Sequence, residues 1–278
     1  MNALTHTRMN LELLQEFDIS VNKHLVVLGG VLPDLSELGI IPLKPAHEHS
    51  LAFIDYLRDK DPKMVGLGFG FMLHGESPCG LDFYTHRDGG FIDQNEMEMY
   101  TIIHKHKPKL NPQKQKQFAH TLIEFAVDSH ADEKYALFFN EAVRTQDLDR
   151  IAFHIYNFFG GNPRKIRSVL HFLRRLDARR LLQVERVAKY WKNWMAFQNL
   201  SHGSYVKNYL FFTQAVTLTR KKTLVNMLRE ARQVIYDPYE SFFESTKKQL
   251  AKTFFKPFDV KVLQNQLNGD FNQAPLLQ

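Results

Sequence analysis

Apolar side chains recur along this chain at intervals of three and four residues, the period of a helix with one buried face. Met9, Leu11, Leu13 and Leu14 give an apolar side to a first helix over 5–16, with Thr5 as its expected cap. The run from His24 to Leu32 is almost wholly apolar. It predicts a buried helix that stops before Pro33, because a proline disfavours the helical conformation in the residue ahead of it. After a loop over 39–45, Leu51, Phe53, Ile54 and Leu57 mark another helix. Pro62 suits the first turn of the next, which runs through Gly66, Gly68 and Gly70 to His74. Helices follow over 91–104 and 112–130, the second with a stripe of Phe118, Leu122 and Phe125.

Glycine and proline punctuate this pattern. Pro78 and Gly80 separate the helix ending at His74 from a short helical turn over 82–86, and Gly89-Gly90 makes another turn. Beyond Ala131 the pattern stays helical. Gly160-Gly161-Asn162-Pro163 divides two helices, and an amphipathic stretch over 178–200 carries Trp191 and Trp194. Further helices are predicted over 205–219, 222–236 and 238–254, with a break at Asp237-Pro238. There is no internal repeat and no alternating strand pattern. The expected architecture is an all-α multi-helix bundle. Residues 1–130 and 131–257 would pack as one domain, followed by an Asn- and Gln-rich tail over 258–278.

Composition narrows the class. Hydrophobic content of 44% and charged content of 24% are ordinary for a globular chain, and 23 phenylalanines can build a substantial core. The single cysteine, Cys79, excludes an intrachain disulfide and fits a reducing compartment. No apolar run of a length that spans a bilayer is present, and the first residues lack the apolar core of a signal peptide. A cytoplasmic location is the expectation. Charge is unevenly divided: residues 1–130 carry 12 Lys+Arg against 17 Asp+Glu, whereas the remainder is strongly basic. Ten of the thirteen histidines lie at or before His130, so the acidic first half suits cations and the basic second half suits anions.

Five separated segments of the first half offer ligand-type side chains. They are His6; Asp34; His47 or His49; His74 with Asp82 and His86; and His120 with Glu124. Asp82 and His86 are four apart, as are His120, Glu124 and Asp128, so each set shares one helix face. Taken singly, each has a structural reading as a cap or an exposed polar residue. Taken together, they are imidazoles and carboxylates without thiolates, the ligand set of catalytic rather than structural zinc. Their number exceeds what one ion needs, and two or three ions bridged by carboxylates would fit.

The order of these motifs resembles the zinc-dependent phospholipase C family, which is similar in architecture to the S1/P1 nucleases. The resemblance rests on Thr5-His6, Gly30-Val31-Leu32-Pro33-Asp34, a histidine after the following loop, Leu73-His74, Asp82-Phe83-Tyr84-Thr85-His86 and His120-Thr121-Leu122-Ile123-Glu124. It covers about the first 130 residues. It implies a helical bundle with a multinuclear zinc centre and phosphoester hydrolysis, with phospholipid as one candidate substrate. It further implies that Asp34, His49 (or His47), His74 and Asp82 hold one ion, and that His86, His120 and Glu124 hold a second. His6 would hold a third, with Asp82 and Glu124 as bridges. Asp34 would be the general base, and Asp128 would orient a ligand from behind. In the family the histidine matching His74 lies four residues before the bridging aspartate. Here it lies eight before, so either four residues bulge out or His74 is not a ligand.

The basic half supports a second class of function. Arg164, Lys165, Arg167, Arg174 and Arg175 form the densest cationic stretch, with Phe172 interleaved. It would bind a phosphate-bearing partner, nucleic acid or an anionic membrane on a scaffold without catalysis. The chain has no His-Asp dipeptide, which sets aside the HD class of helical phosphohydrolases.

Overall fold

The computed structural model describes residues 3–201 and 219–255. The helix expected over 205–219 (up to its last residue), the tail over 258–278 and the side chain of Trp194 lie outside the described residues. What is described is all-helical, with thirteen α-helices, short 3-10 turns, a π-helical turn at Ala251–Phe255 and no strand. In chain order the helices are α1 (Ala3–Glu16), α2 (Lys23–Gly29), α3 (Leu43–Glu48), α4 (Ser50–Lys60), α5 (Val65–His74), α6 (Leu81–His86) and α7 (Phe91–His106). Then follow α8 (Pro112–Asp128), α9 (Glu133–Thr145), α10 (Leu148–Phe159), α11 (Pro163–Arg175), α12 (Val184–Ser201) and α13 (Lys221–Leu250). One continuous apolar core runs from Ala3 to Phe255, so the two halves share it.

The pair α2 and α5 forms the centre of the bundle. Both are buried along their apolar length, and glycines let their backbones touch. A Cβ on Gly29 would overlap the carbonyl oxygen of Leu67, and one on Gly70 would overlap that of Val26. The row Gly66, Gly68 and Gly70 is therefore required for approach at Gly70, despite the cost of glycine inside a helix. Helix α1 crosses this pair and is tied to its neighbours by charge. Arg8 donates to both carboxylate oxygens of Glu240 at 2.6 and 3.0 Å, and Glu12 accepts from Lys247 and from the Tyr135 hydroxyl. Trp191 of α12 is fully buried against Phe118 and Phe125, which joins the C-terminal half to α8.

Several expected boundaries shift. The first helix already includes Ala3, so Thr5 is not its cap. Instead Asp128, at the end of α8, accepts from the Leu4 and Thr5 amides and from the Thr5 hydroxyl. Helix α2 ends at Gly29, and Leu32–Ser36 forms a 3-10 turn opened by Pro33. The loop expected over 39–45 is shorter, because α3 begins at Leu43 with Pro45 in its first turn. The first-turn amides have no partner within a helix, so a proline there removes nothing. The break expected at Asp237-Pro238 is absent: α13 runs through Pro238 without a break. Ile235, Tyr239 and Phe243 bury one side of it on both flanks of the proline, and this packing outweighs one missing amide bond.

Candidate metal centre

Four elements bring the first group of ligand atoms together. Asp34 comes from the 3-10 turn after α2, His47 from the last turn of α3, His74 from the end of α5 and Asp82 from the start of α6. One ligand atom from each lies within 4.8 Å of the others, and all four residues are buried. Asp82 is the hub. Its Oδ2 lies 3.0 Å from His74 Nε2 and 3.5 Å from His47 Nε2, and Asp34 Oδ1 lies 3.5 Å from His74 Nε2. The other carboxylate oxygen of Asp82 faces His6 Nε2 at 3.3 Å and His86 Nε2 at 3.9 Å.

The hydrogen bonds behind the imidazoles decide which nitrogens face inward. His74 Nδ1 donates to the Gly30 carbonyl at 2.9 Å, and His47 Nδ1 donates to the Leu43 carbonyl at 3.0 Å. Each carbonyl can only accept, so each imidazole carries its proton on Nδ1 when neutral, leaving the Nε2 lone pair facing in. The two Nε2 atoms then stand 3.3 Å apart, aimed at a shared region beside two carboxylates. Asp34 Oδ2 is buried without a partner. Two converging lone pairs and an unpartnered buried carboxylate oxygen fit a divalent cation, and carbonyl-backed histidines are the usual support for one.

His86, His120 and Glu124 form the second group, again with ligand atoms within 4.8 Å of one another. His120 and Glu124 come from one face of α8, at 3.4 Å, and the His86 and His120 rings are 4.9 Å apart. Glu124 is buried, whereas the His86 and His120 side chains keep 24% and 36% of their exposure, so the centre opens to solvent on that side. His6 joins through Asp82 and stacks on the His74 ring at 4.2 Å, but it belongs to neither group of mutually close ligand atoms. Its Nδ1 is buried without a partner.

Electrostatics follow from this crowding. Burial alone would strip the proton from His74, yet the Asp82 and Asp34 carboxylates lift its pKa to about 9. Burial also opposes charge on His47, and hydrogen bonding to Asp82 overcomes it and raises the pKa. His6 is lowered, by burial and then by His74. Asp82 is held well below the usual carboxylate range although it is buried, because His74 and His86 flank it. In metal-free protein the charged His74 contributes stability fully below its ordinary pKa of 6.5, and that contribution disappears as pH rises through about 9. A cation must displace this proton. Loading at pH 7 should therefore release protons, and metal affinity should climb with pH until about 9. Titration calorimetry in buffers of different ionisation enthalpy measures both, and affinity independent of pH between 6 and 9 would contradict it.

Of the residues expected from sequence, His6, Asp34, His47, His74, Asp82, His86, His120 and Glu124 all lie at this centre. His49 does not: it caps the end of α3 and is exposed, so the alternative between it and His47 resolves to His47. The eight-residue spacing from His74 to Asp82 is a bulge. The Glu76 and Ser77 amides both donate to the His47 carbonyl, which folds residues 75–80 aside and binds them to α3. Asp128 touches no ligand ring. It clamps the start of α1, two residues before His6, and burial pushes its pKa up to about 7 against the three hydrogen bonds it accepts.

Glu37 was not among the expected site residues. Its side chain is exposed at the end of the turn that carries Asp34, and partial desolvation there, with the Asp34, Glu124 and Asp82 carboxylates, pushes its pKa up. Its position three residues after Asp34 on a helical turn was the available signal, since such residues share a face.

The basic stretch is divided in use. Arg174 donates to the Val143 and Gln146 carbonyls at the end of α9, and Arg167 pairs with Asp149 at 2.7 Å. Arg164, Lys165 and Arg175 are exposed. Among the described residues no helix is long and apolar enough to cross a membrane. Comparison with protein-family models, with curated proteins and with solved structures found no match.

Proposed function

We propose that this protein is a metal-dependent phosphoester hydrolase with a di- or trinuclear zinc centre. The observation that supports it is the sharing of Asp82 between two groups of ligands, one oxygen toward His47 and His74, the other toward His6 and His86. A carboxylate so placed suits adjacent cations. Asp34, His47, His74 and Asp82 would hold one ion, and His86, His120 and Glu124 another, with His6 and Asp82 available to a third. Zinc bound there would supply Lewis-acid stabilisation of phosphoryl oxygens and make water a stronger acid.

The chain's own groups would do the rest. Asp34 presents an unpartnered Oδ2 and is the candidate base to take a proton from attacking water. His86 and His120, the exposed members, mark the side from which substrate would approach. Phosphodiesters, phospholipids among them, are the candidate substrates. A nucleic-acid-binding scaffold without catalysis has less support, because Arg167 and Arg174 already have protein partners.

Elemental analysis of the purified chain, followed by a screen of p-nitrophenyl phosphoesters, tests this. The expectation is two or three zinc ions per chain and turnover of at least one ester. Asp34→Asn should lower turnover by about 100-fold or more while retaining the fold. Protein that takes up no transition metal on reconstitution would remove the proposal.

A further inference from the structure

A groove of about 440 Å³ lies between α11, the 3-10 turn at Ala178–Leu182 and α12. None of these elements carries a residue of the metal centre. Its floor is apolar, built from Val169, Phe172, Leu176, Leu181 and Tyr190, with Phe172 41% exposed. Its rim is cationic: Arg175 from α11, Arg180 from the turn, and Arg186 and Lys189 from α12. No acidic side chain lines it among the described residues.

These four cations differ from their neighbours. Arg167, Arg179 and Arg229 each meet a carboxylate, and Arg174 caps carbonyls. Arg175, Arg180, Arg186 and Lys189 form no side-chain ion pair among the described residues, yet three separate elements bring them around one concavity. A cleft lined by one sign of charge over low-dielectric walls concentrates the opposite charge. The volume falls within the roughly 300–1,000 Å³ of small-molecule sites, and concavity suits one molecule better than a flat membrane surface. Three aliphatic side chains, Val169, Leu176 and Leu181, join the two aromatic ones in a continuous apolar surface that an acyl chain can cover.

We propose that this groove binds a single-chain amphiphilic anion, an acyl or alkyl chain ending in a carboxylate or phosphate. The chain lies on Val169, Phe172, Leu176 and Leu181, and the head meets the arginines. This site is independent of the hydrolase reading. The test uses the full-length chain freed of metal with a chelator, so that the metal centre does not capture the anion. Displacement of the fluorescent fatty acid cis-parinaric acid reports occupancy. Dodecyl phosphate and laurate should displace it saturably, one per chain. Dodecanol should be weaker by about tenfold or more, and inorganic phosphate alone should not displace it. An Arg180→Ala/Arg186→Ala double substitution should weaken both anions by about tenfold and leave dodecanol unchanged. Equal affinity for dodecanol and dodecyl phosphate would overturn the proposal. So would an unaffected double substitution, displacement by a single-stranded oligonucleotide, or binding seen only with phosphatidylglycerol vesicles.

Discussion

On the hydrolase reading proposed above, Asp82→Asn should leave the chain folded but unable to hold more than one metal ion, with hydrolysis down on the order of 10³-fold or more. One residue has this reach because its two oxygens serve different partners. Oδ2 faces His47 and His74, and Oδ1 faces His6 and His86. Asparagine keeps the shape, loses the charge and turns an NH2 group toward lone pairs that need a cation. Removing a single electrostatic contact to a transition state costs about 10²–10³ in rate, and a residue shared by both groups should cost no less. The fold should survive because the histidines can lose their protons. His74, held near a pKa of about 9 by Asp82 and Asp34, becomes neutral instead of remaining as an unpaired buried charge. Elemental analysis, circular dichroism and phosphoester turnover on the same sample give the answer. Wild-type metal content in the variant would refute the shared-ligand geometry.

Gly70→Ala should be among the most damaging conservative changes outside the centre, lowering stability by about 3 kcal/mol or more. Alanine improves intrinsic helix propensity by about 1 kcal/mol, so the sign depends on what the new methyl meets. It meets backbone: the Val26 carbonyl, the Gly29 Cα and the Gly30 amide. No side-chain rotation relieves that, so α2 and α5 must separate. Separation also stretches the hydrogen bond from His74 Nδ1 to Gly30, so metal affinity should fall with stability. Gly66→Ala is the control. Its nearest neighbour would be at 3.1 Å, and its stability should stay within about 1 kcal/mol of wild type. Urea denaturation of both variants separates close approach from propensity, and equal midpoints would contradict the account.

The helical character and the four-residue pairs among the converging side chains were legible in the sequence because both are local. Helices α1 and α8 follow from apolar spacing, and pairs such as His120 and Glu124 follow from the four-residue face rule. Features set by tertiary contact were not legible. Pro45 looks like a loop residue until one knows that it sits in a first turn, and the helix it opens carries His47 inward and leaves His49 outside. Pro238 looks like a break until Tyr239 and Phe243 are seen buried against the bundle. Thr5 looks like a cap, but the group that caps α1 is 123 residues away. Glu37 hid for a different reason: besides Asp34, the carboxylates that shift it, Glu124 and Asp82, come from distant segments.

The clasp between Asp128 and the start of α1 sets an order of events during synthesis. All four residues of the first ligand group have been made once the ribosome passes Asp82, and the second group is complete at Glu124. Yet the helix bearing His6 gains its anchoring carboxylate only four residues later. A nascent chain cut short of Asp128 would thus hold every imidazole and acid of the centre while lacking the bolt that fastens its first strut.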